Sequence, residues 1–168
     1  PGKGVKVLNI NLDSIINPLK INLVFNKKNL IDFWAVRSMI ELWAINVTVQ
    51  KVTKDDIKSF EAKLTQMDEL IRVGQIEKYI EEDLAFHTDL VRIAENSFLI
   101  VLMKFLRSQL YKFIKLAVIN SFQKDKGQGY HYKIVKSIKD KDPDFAYISL
   151  KKHLDISKKE ALHVFEKQ

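Results

Sequence analysis

With 168 residues, 29% of them charged, a net charge of +7 and no cysteine, the chain can bury one well-formed core and cannot be a disulfide-stapled scaffold. Its longest uninterrupted apolar run, Phe98 to Met103, is far too short to cross a bilayer, and nothing resembles a secretory signal, so a cytoplasmic protein is expected. Residues 1–103 carry 13 basic and 14 acidic groups and residues 104–168 carry 15 and 7, and the surplus lysines, such as Lys133, Lys136, Lys139 and Lys141, read as solvated helix faces in preference to a nucleic-acid patch.

Only five glycines and three prolines occur, and apolar residues recur at three and four positions. The expected fold is all-α, an antiparallel helical bundle of six or seven helices. The chain opens on proline with "PGKGVKV", which reads as the tail of something longer: Gly2 and Gly4 flank Lys3, and Val5 and Val7 alternate as at the start of a short strand. Residues 9–28 form a connection with one short helix at about Ile15 to Phe25, and residues 29–168 form the helical domain.

The first long helix is expected from Leu30 to Val49, with Phe33, Val36, Ile40, Trp43 and Val47 as its buried stripe. The second starts at Thr53 as N-cap, with Asp56 at the third helical position, and stops near Gly74. The third spans Gln75 to Glu95; Asn96 suits a left-handed stop and Ser97 can cap the next helix. The fourth, Phe98 to Phe122, is the most apolar and is expected at the centre. After the polar loop "QKDKGQG" comes an αα-hairpin, with one arm from Tyr130 to Lys139 and the other from Pro143 to Phe165, capped by Asp142.

Four side chains point to chemistry. Asp83 and His87 are four apart, so a helix places them on one face, about 6 Å apart along its axis. Alone, such a pair is weak evidence and is better explained by a surface ion pair or a hydrogen-bonded core histidine. His131 and His153 are equidistant from residue 142, the corner of the hairpin, so antiparallel arms bring them to one level. Together the pairs form a ligand set for a divalent metal, zinc or nickel first, with iron and manganese as alternatives. His163 falls outside this scheme.

The run "DLAFH", followed by Asn96, then the histidines of "YHYKIVKSI" and "KKHL", resembles the FCD domain, the C-terminal ligand-binding domain of the FadR subfamily of GntR transcription regulators. The resemblance implies that Asp83, His87, His131 and His153 ligate a divalent cation. "AVRSMIE" is similar to the arginine-containing motif of the family, which implies that Arg37 binds the carboxylate of an organic-acid effector, with Glu41 the acid after it; without the motif, Arg37 would read as a surface ion pair. "GKGVKV" resembles the wing of a winged helix-turn-helix domain, which makes residues 1–8 its remnant and places DNA binding in the missing N-terminal part. The family also implies a homodimer. Ala35 stands where an acid is common, "INVTV" replaces a small-residue region, and the hairpin turn "KDKDP" is unusually charged.

The expected function is therefore an effector-sensing and dimerisation domain of a transcription regulator, not an enzyme. A metal-dependent hydrolase is the rival, but Glu81 and Glu82, the nearest acids in sequence, are expected to point away from the pair. A purely structural metal, or histidines satisfied in the core without metal, is the third reading.

Overall fold

The structure is a computed structural model and describes residues 26–121 and 127–165. The expected wing, connection and first short helix lie outside those residues. Among the described residues the chain forms six helices and no strand, which agrees with the all-α expectation: α1 (Lys27–Lys51), α2 (Lys54–Arg72), α3 (Ile76–Ile93), α4 (Ser97–Ser121), α5 (Gln128–Lys139) and α6 (Pro143–Phe165).

The helix ends follow local chemistry. Asn26 caps α1 by accepting from the Asn29 amide at 2.8 Å, and Thr53 and Asp56 form the reciprocal capping box of α2. Gly74, at φ 72°, ends α2. The Gln75 and Gly74 amides donate back to the Leu70 and Ile71 carbonyls, a pairing that requires a left-handed residue. The next stop differs from expectation by one position. Glu95, not Asn96, takes φ 58°, and Asn96 instead caps α4 by accepting from the Leu99 amide at 3.2 Å. Its carbonyl is worth more to the orphan amides of α4 than its tolerance of the left-handed region is to α3.

Asp142 caps α6 through the Phe145 amide at 2.9 Å, as the spacing predicts. Beside it Lys141 adopts φ 58° and donates from Nζ to the carbonyls of Val49, Gln50 and Val52 at 2.8, 3.3 and 3.3 Å. Lys141 is therefore not mere solvated surface: it ties the hairpin turn to the negative end of the α1 dipole.

The middle position goes to α1, which packs against α3, α4, α5 and α6; the more apolar α4 leaves Phe98 and Leu102 exposed. The buried face of α1 is also rotated from the expected stripe. It includes Trp34, Arg37, Glu41, Ala44, Ile45 and Thr48, whereas Val36 and Trp43 are exposed beside Met39. Counting only apolar residues misplaces the face, because Arg37, Glu41 and Thr48 are buried with partners.

Buried apolar side chains form two clusters, one around Trp34, Met67, Leu84 and Met103, the other around Ile45, Phe60, Phe86 and Leu150. Helix α3 feeds both, Leu84 into the first and Phe86 into the second. This aims the face carrying Asp83 and His87 between them. No helix among the described residues is long and apolar enough to cross a membrane.

Candidate metal centre

Asp83 and His87 on α3, His131 on α5 and His153 on α6 are all buried. The hairpin brings the His131 and His153 rings to 4.3 Å between centroids, as equidistance from residue 142 requires. One ligand atom from each of the four residues lies within 4.8 Å of every other. His87 Nε2 is 3.1 Å from His153 Nε2 and 3.4 Å from His131 Nε2. Asp83 Oδ1 is 3.3 Å from His131 Nε2 and 3.9 Å from His87 Nε2. The Phe86 ring packs 4.7 Å from that of His131.

The outer nitrogens decide where the protons sit. His87 Nδ1 lies 2.5 Å from Glu41 Oε2, while Glu41 Oε1 accepts from Arg37 Nε at 2.6 Å. His131 Nδ1 lies 3.1 Å from Gln128 Oε1. That atom must be the oxygen, because Gln128 Nε2 donates to the Leu64 carbonyl at 3.2 Å and to Asp68 Oδ1 at 2.8 Å. Both imidazoles therefore donate from Nδ1 and turn Nε2 inward. Two Nε2 nitrogens and a carboxylate oxygen converge, with His153 Nε2 beside them. Acceptors facing one another in a buried site repel, and a cation between them would relieve that repulsion.

The charge states agree with a ligand set. Burial raises the Glu41 carboxyl, but the Arg37 guanidinium and His87 outweigh it and hold the group below the usual carboxylate value. Burial likewise opposes ionisation of Asp83; protons on His131 and His87, with the Arg37 guanidinium, overcome it and hold the carboxyl below its usual range, a part that a bound cation would take over beside neutral imidazoles. Burial pushes His131 down against the pull of Asp83, and pushes His153 well below the ordinary imidazole value, with the neighbouring histidines adding to the effect. Neutral imidazoles beside an ionised carboxylate are the protonation states that a divalent ion takes. The residues present fit zinc, nickel, iron or manganese.

Arg37 is 1% exposed, so its pair with Glu41 is not the surface ion pair that the isolated residue suggests. Among the described residues its Nη2 has no hydrogen-bond partner, and neither do Trp34 Nε1 and His153 Nδ1. Leaving a buried donor unpaired costs roughly 1–3 kcal/mol. Glu81 is exposed and Glu82 turns to Lys63 and Gln66 at 3.2 and 3.1 Å, so both face away as expected. His163 is exposed, outside the cluster. Ala35 is exposed too, so the acid it replaces would not line the centre. In "INVTV", Thr48 is buried and donates to the Leu90 carbonyl at 2.6 Å. The supporting roles of Glu41 and Gln128 are not visible in the sequence, apart from the place of Glu41 in the arginine motif.

The family model for the FCD domain matches residues 32–156. The chain belongs to the FCD domain family. The match encloses Arg37, Glu41 and all four cluster residues. Among curated proteins, the HTH-type transcriptional regulator LutR of Bacillus subtilis (strain 168) is 26% identical over 109 residues, 65% of this chain and 49% of that protein. The FCD chain thus spans about half the length of that relative. Among solved structures, Streptococcus agalactiae GntR is 19% identical with a TM-score of 0.71, over 85% of this chain and 65% of that one. E. coli McbR/YncC is 14% identical with a TM-score of 0.73, over 85% and 71%. These two show a shared fold.

Proposed function

We propose that this FCD domain senses a small carboxylate through a divalent metal ion and passes the signal to the DNA-binding part of a transcription regulator. The observation that carries the reading is the mutual approach of ligand atoms from Asp83, His87, His131 and His153, all within 4.8 Å of one another in a buried site. Asp83, His87, His131 and His153 would hold the ion, zinc or nickel first, with iron and manganese as alternatives. When bound, the ion supplies a Lewis-acidic point for a carboxylate oxygen. Arg37, with Nη2 unpaired and Nε anchored on Glu41, can bind the same carboxylate by a charge-assisted hydrogen bond.

Membership of the FCD family and the similarity to LutR, a transcriptional regulator, support a regulator over an enzyme. So does Glu41, whose two oxygens are both engaged and which is therefore not free to act as a general base. In this reading the domain works in the cytoplasm as a homodimer, and DNA is contacted only through a winged helix-turn-helix domain to which residues 1–8 belong. An effector that binds one dimer geometry better shifts the population toward it and alters how two heads span operator half-sites.

Metal analysis of protein purified without added metal, beside a His131→Ala/His153→Ala variant, tests the centre: one ion per chain in the first and none in the second is expected. Thermal-shift screening of mono-, di- and tricarboxylates with and without chelator tests the sensor. Absence of ion from both proteins, or acids that stabilise equally with chelator present, overturns the reading.

A further inference from the structure

Gln128 lies outside the ligand set yet is buried, and its amide is held in one orientation from two sides. Nε2 has two acceptors in reach, the Leu64 carbonyl and Asp68 Oδ1, and Oε1 has one partner, His131 Nδ1. Rotating the amide by half a turn would set its oxygen against both acceptors and its NH2 against an Nδ1–H, so three favourable contacts would become three unfavourable ones. Asp68 is itself held: its other oxygen, Oδ2, accepts from the Tyr132 hydroxyl. A chain of hydrogen bonds therefore runs inward from Tyr132 and Asp68, through Gln128, to a buried imidazole. Its outer end lies at a surface cavity of about 410 Å³, which Asp68, Gln128 and Tyr132 help to line.

We propose that Gln128 and Asp68 are positioning residues that fix His131 as the Nδ1–H tautomer, so that its Nε2 lone pair faces the cluster. His131 is otherwise free to choose. In water the two tautomers of imidazole are close in energy, and at this site Asp83 Oδ1, 3.3 Å from His131 Nε2, pulls the proton toward Nε2. A proton there would turn the ring from ligand into donor and block its place in the set. The Gln128 acceptor opposes that pull, and Asp68 keeps the acceptor turned the right way. His87 is fixed by a separate device, the Glu41 carboxylate, so the two rings are oriented independently. The sequence carries a weak trace of this, since Gln128 precedes His131 by three positions, one helical turn on α5. Nothing local announces Asp68, which comes from α2, 60 residues away in sequence from Gln128.

The claim for metal binding rests on the reading given under Proposed function, whereas the tautomer claim does not, and two measurements separate them. Nitrogen-15 NMR of histidine-labelled, metal-free protein in mildly alkaline buffer reads the tautomer of each neutral ring. His131 should be Nδ1–H in the wild type and shift toward Nε2–H in Gln128→Leu, with His87 unchanged. Competition with a chelator reads zinc affinity, which should fall roughly 10- to 100-fold in Gln128→Leu, the usual range for removing such a partner. Asp68→Ala, a change at the surface end, should move both readouts the same way by less, and it serves if Gln128→Leu does not fold. A wild-type His131 already in the Nε2–H form, or variants that leave its tautomer unchanged, overturn the proposal. A tautomer that shifts in Gln128→Leu while the wild type takes up no zinc supports the relay and overturns the metal reading instead.

Discussion

Glu41 Oε2 and His87 Nδ1 lie 2.5 Å apart, both side chains fully buried, although 46 residues separate them in sequence. Because Oε1 of the same carboxylate holds Arg37 Nε, one acid joins the guanidinium on α1 to an imidazole on α3. Glu41→Gln keeps the shape and removes the charge, leaving Arg37 buried without a counter-ion. Breaking one side of a buried pair costs about 3–5 kcal/mol, so a large fall in thermal midpoint is expected, together with weaker metal binding. Thermal unfolding and metal content measured side by side check this, and an unchanged midpoint would show that the bridge carries little.

Arg37→Lys separates effector binding from stability. Lysine keeps the positive charge that Glu41 needs but lacks the planar fork, so it cannot hold Glu41 and also present a second donor in the place of Nη2. The ion should remain at one per chain, while affinity for the active carboxylate falls about 10- to 100-fold, the equivalent of a charged hydrogen bond. Titration calorimetry on the metal-loaded protein reads both. Equal affinity in the two proteins would remove Arg37 from the effector site.

The parts of this molecule that are legible in the sequence depend on short spacings. The Thr53–Asp56 capping box, the stop at Gly74 and the Asp142–Pro143 start are contained within a few residues, and each forms where expected. The pairing of His131 with His153 needs only the position of one turn. The face of α1 is not legible in this way, because an apolar stripe cannot show that Arg37 and Glu41 will be buried; that depends on His87, which arrives from another helix. Lys141 escapes for the same reason, since its acceptors are the last carbonyls of α1. Gln128 has no readable role until Asp68 and Leu64 are beside it.

Burial of His131 and His153 makes stability depend on pH. Both folded values lie below the ordinary imidazole value, so as pH falls below about 6.5 the unfolded chain takes up protons that the folded chain does not. The metal-free protein should lose stability through that window, by up to about 1.4 kcal/mol per pH unit for each histidine. The lowered Asp83 carboxyl acts in the same direction but only below about pH 4, where the unfolded aspartate protonates. Denaturant midpoints across a pH series in chelator measure the slope. A midpoint that rises as pH falls from neutral would contradict neutral buried imidazoles.

Of the three imidazoles, His153 alone has an outer nitrogen without a partner among the described residues, which separates its two roles. His87 and His131 satisfy Glu41 and Gln128, so removing either ring strands a buried acceptor. Removing His153 strands nothing on its outer side and takes away an unpaired polar atom. His153→Leu also removes the ring nitrogen 3.1 Å from His87 Nε2, so the two effects oppose each other and the metal-free variant should stay within about 1–2 kcal/mol of the wild type, the size of one unsatisfied buried group. The same change deletes one of four ligands. Zinc at a hundredfold excess over its dissociation constant stabilises a folded protein by about 2.7 kcal/mol, and that increment should appear in the wild type and vanish in the variant. Urea unfolding of both proteins, with zinc and with chelator, measures all four values. If zinc stabilises both equally, His153 is not a ligand; if the variant is weaker in chelator by more than about 2 kcal/mol, the larger loss shows that its ring belongs to the core.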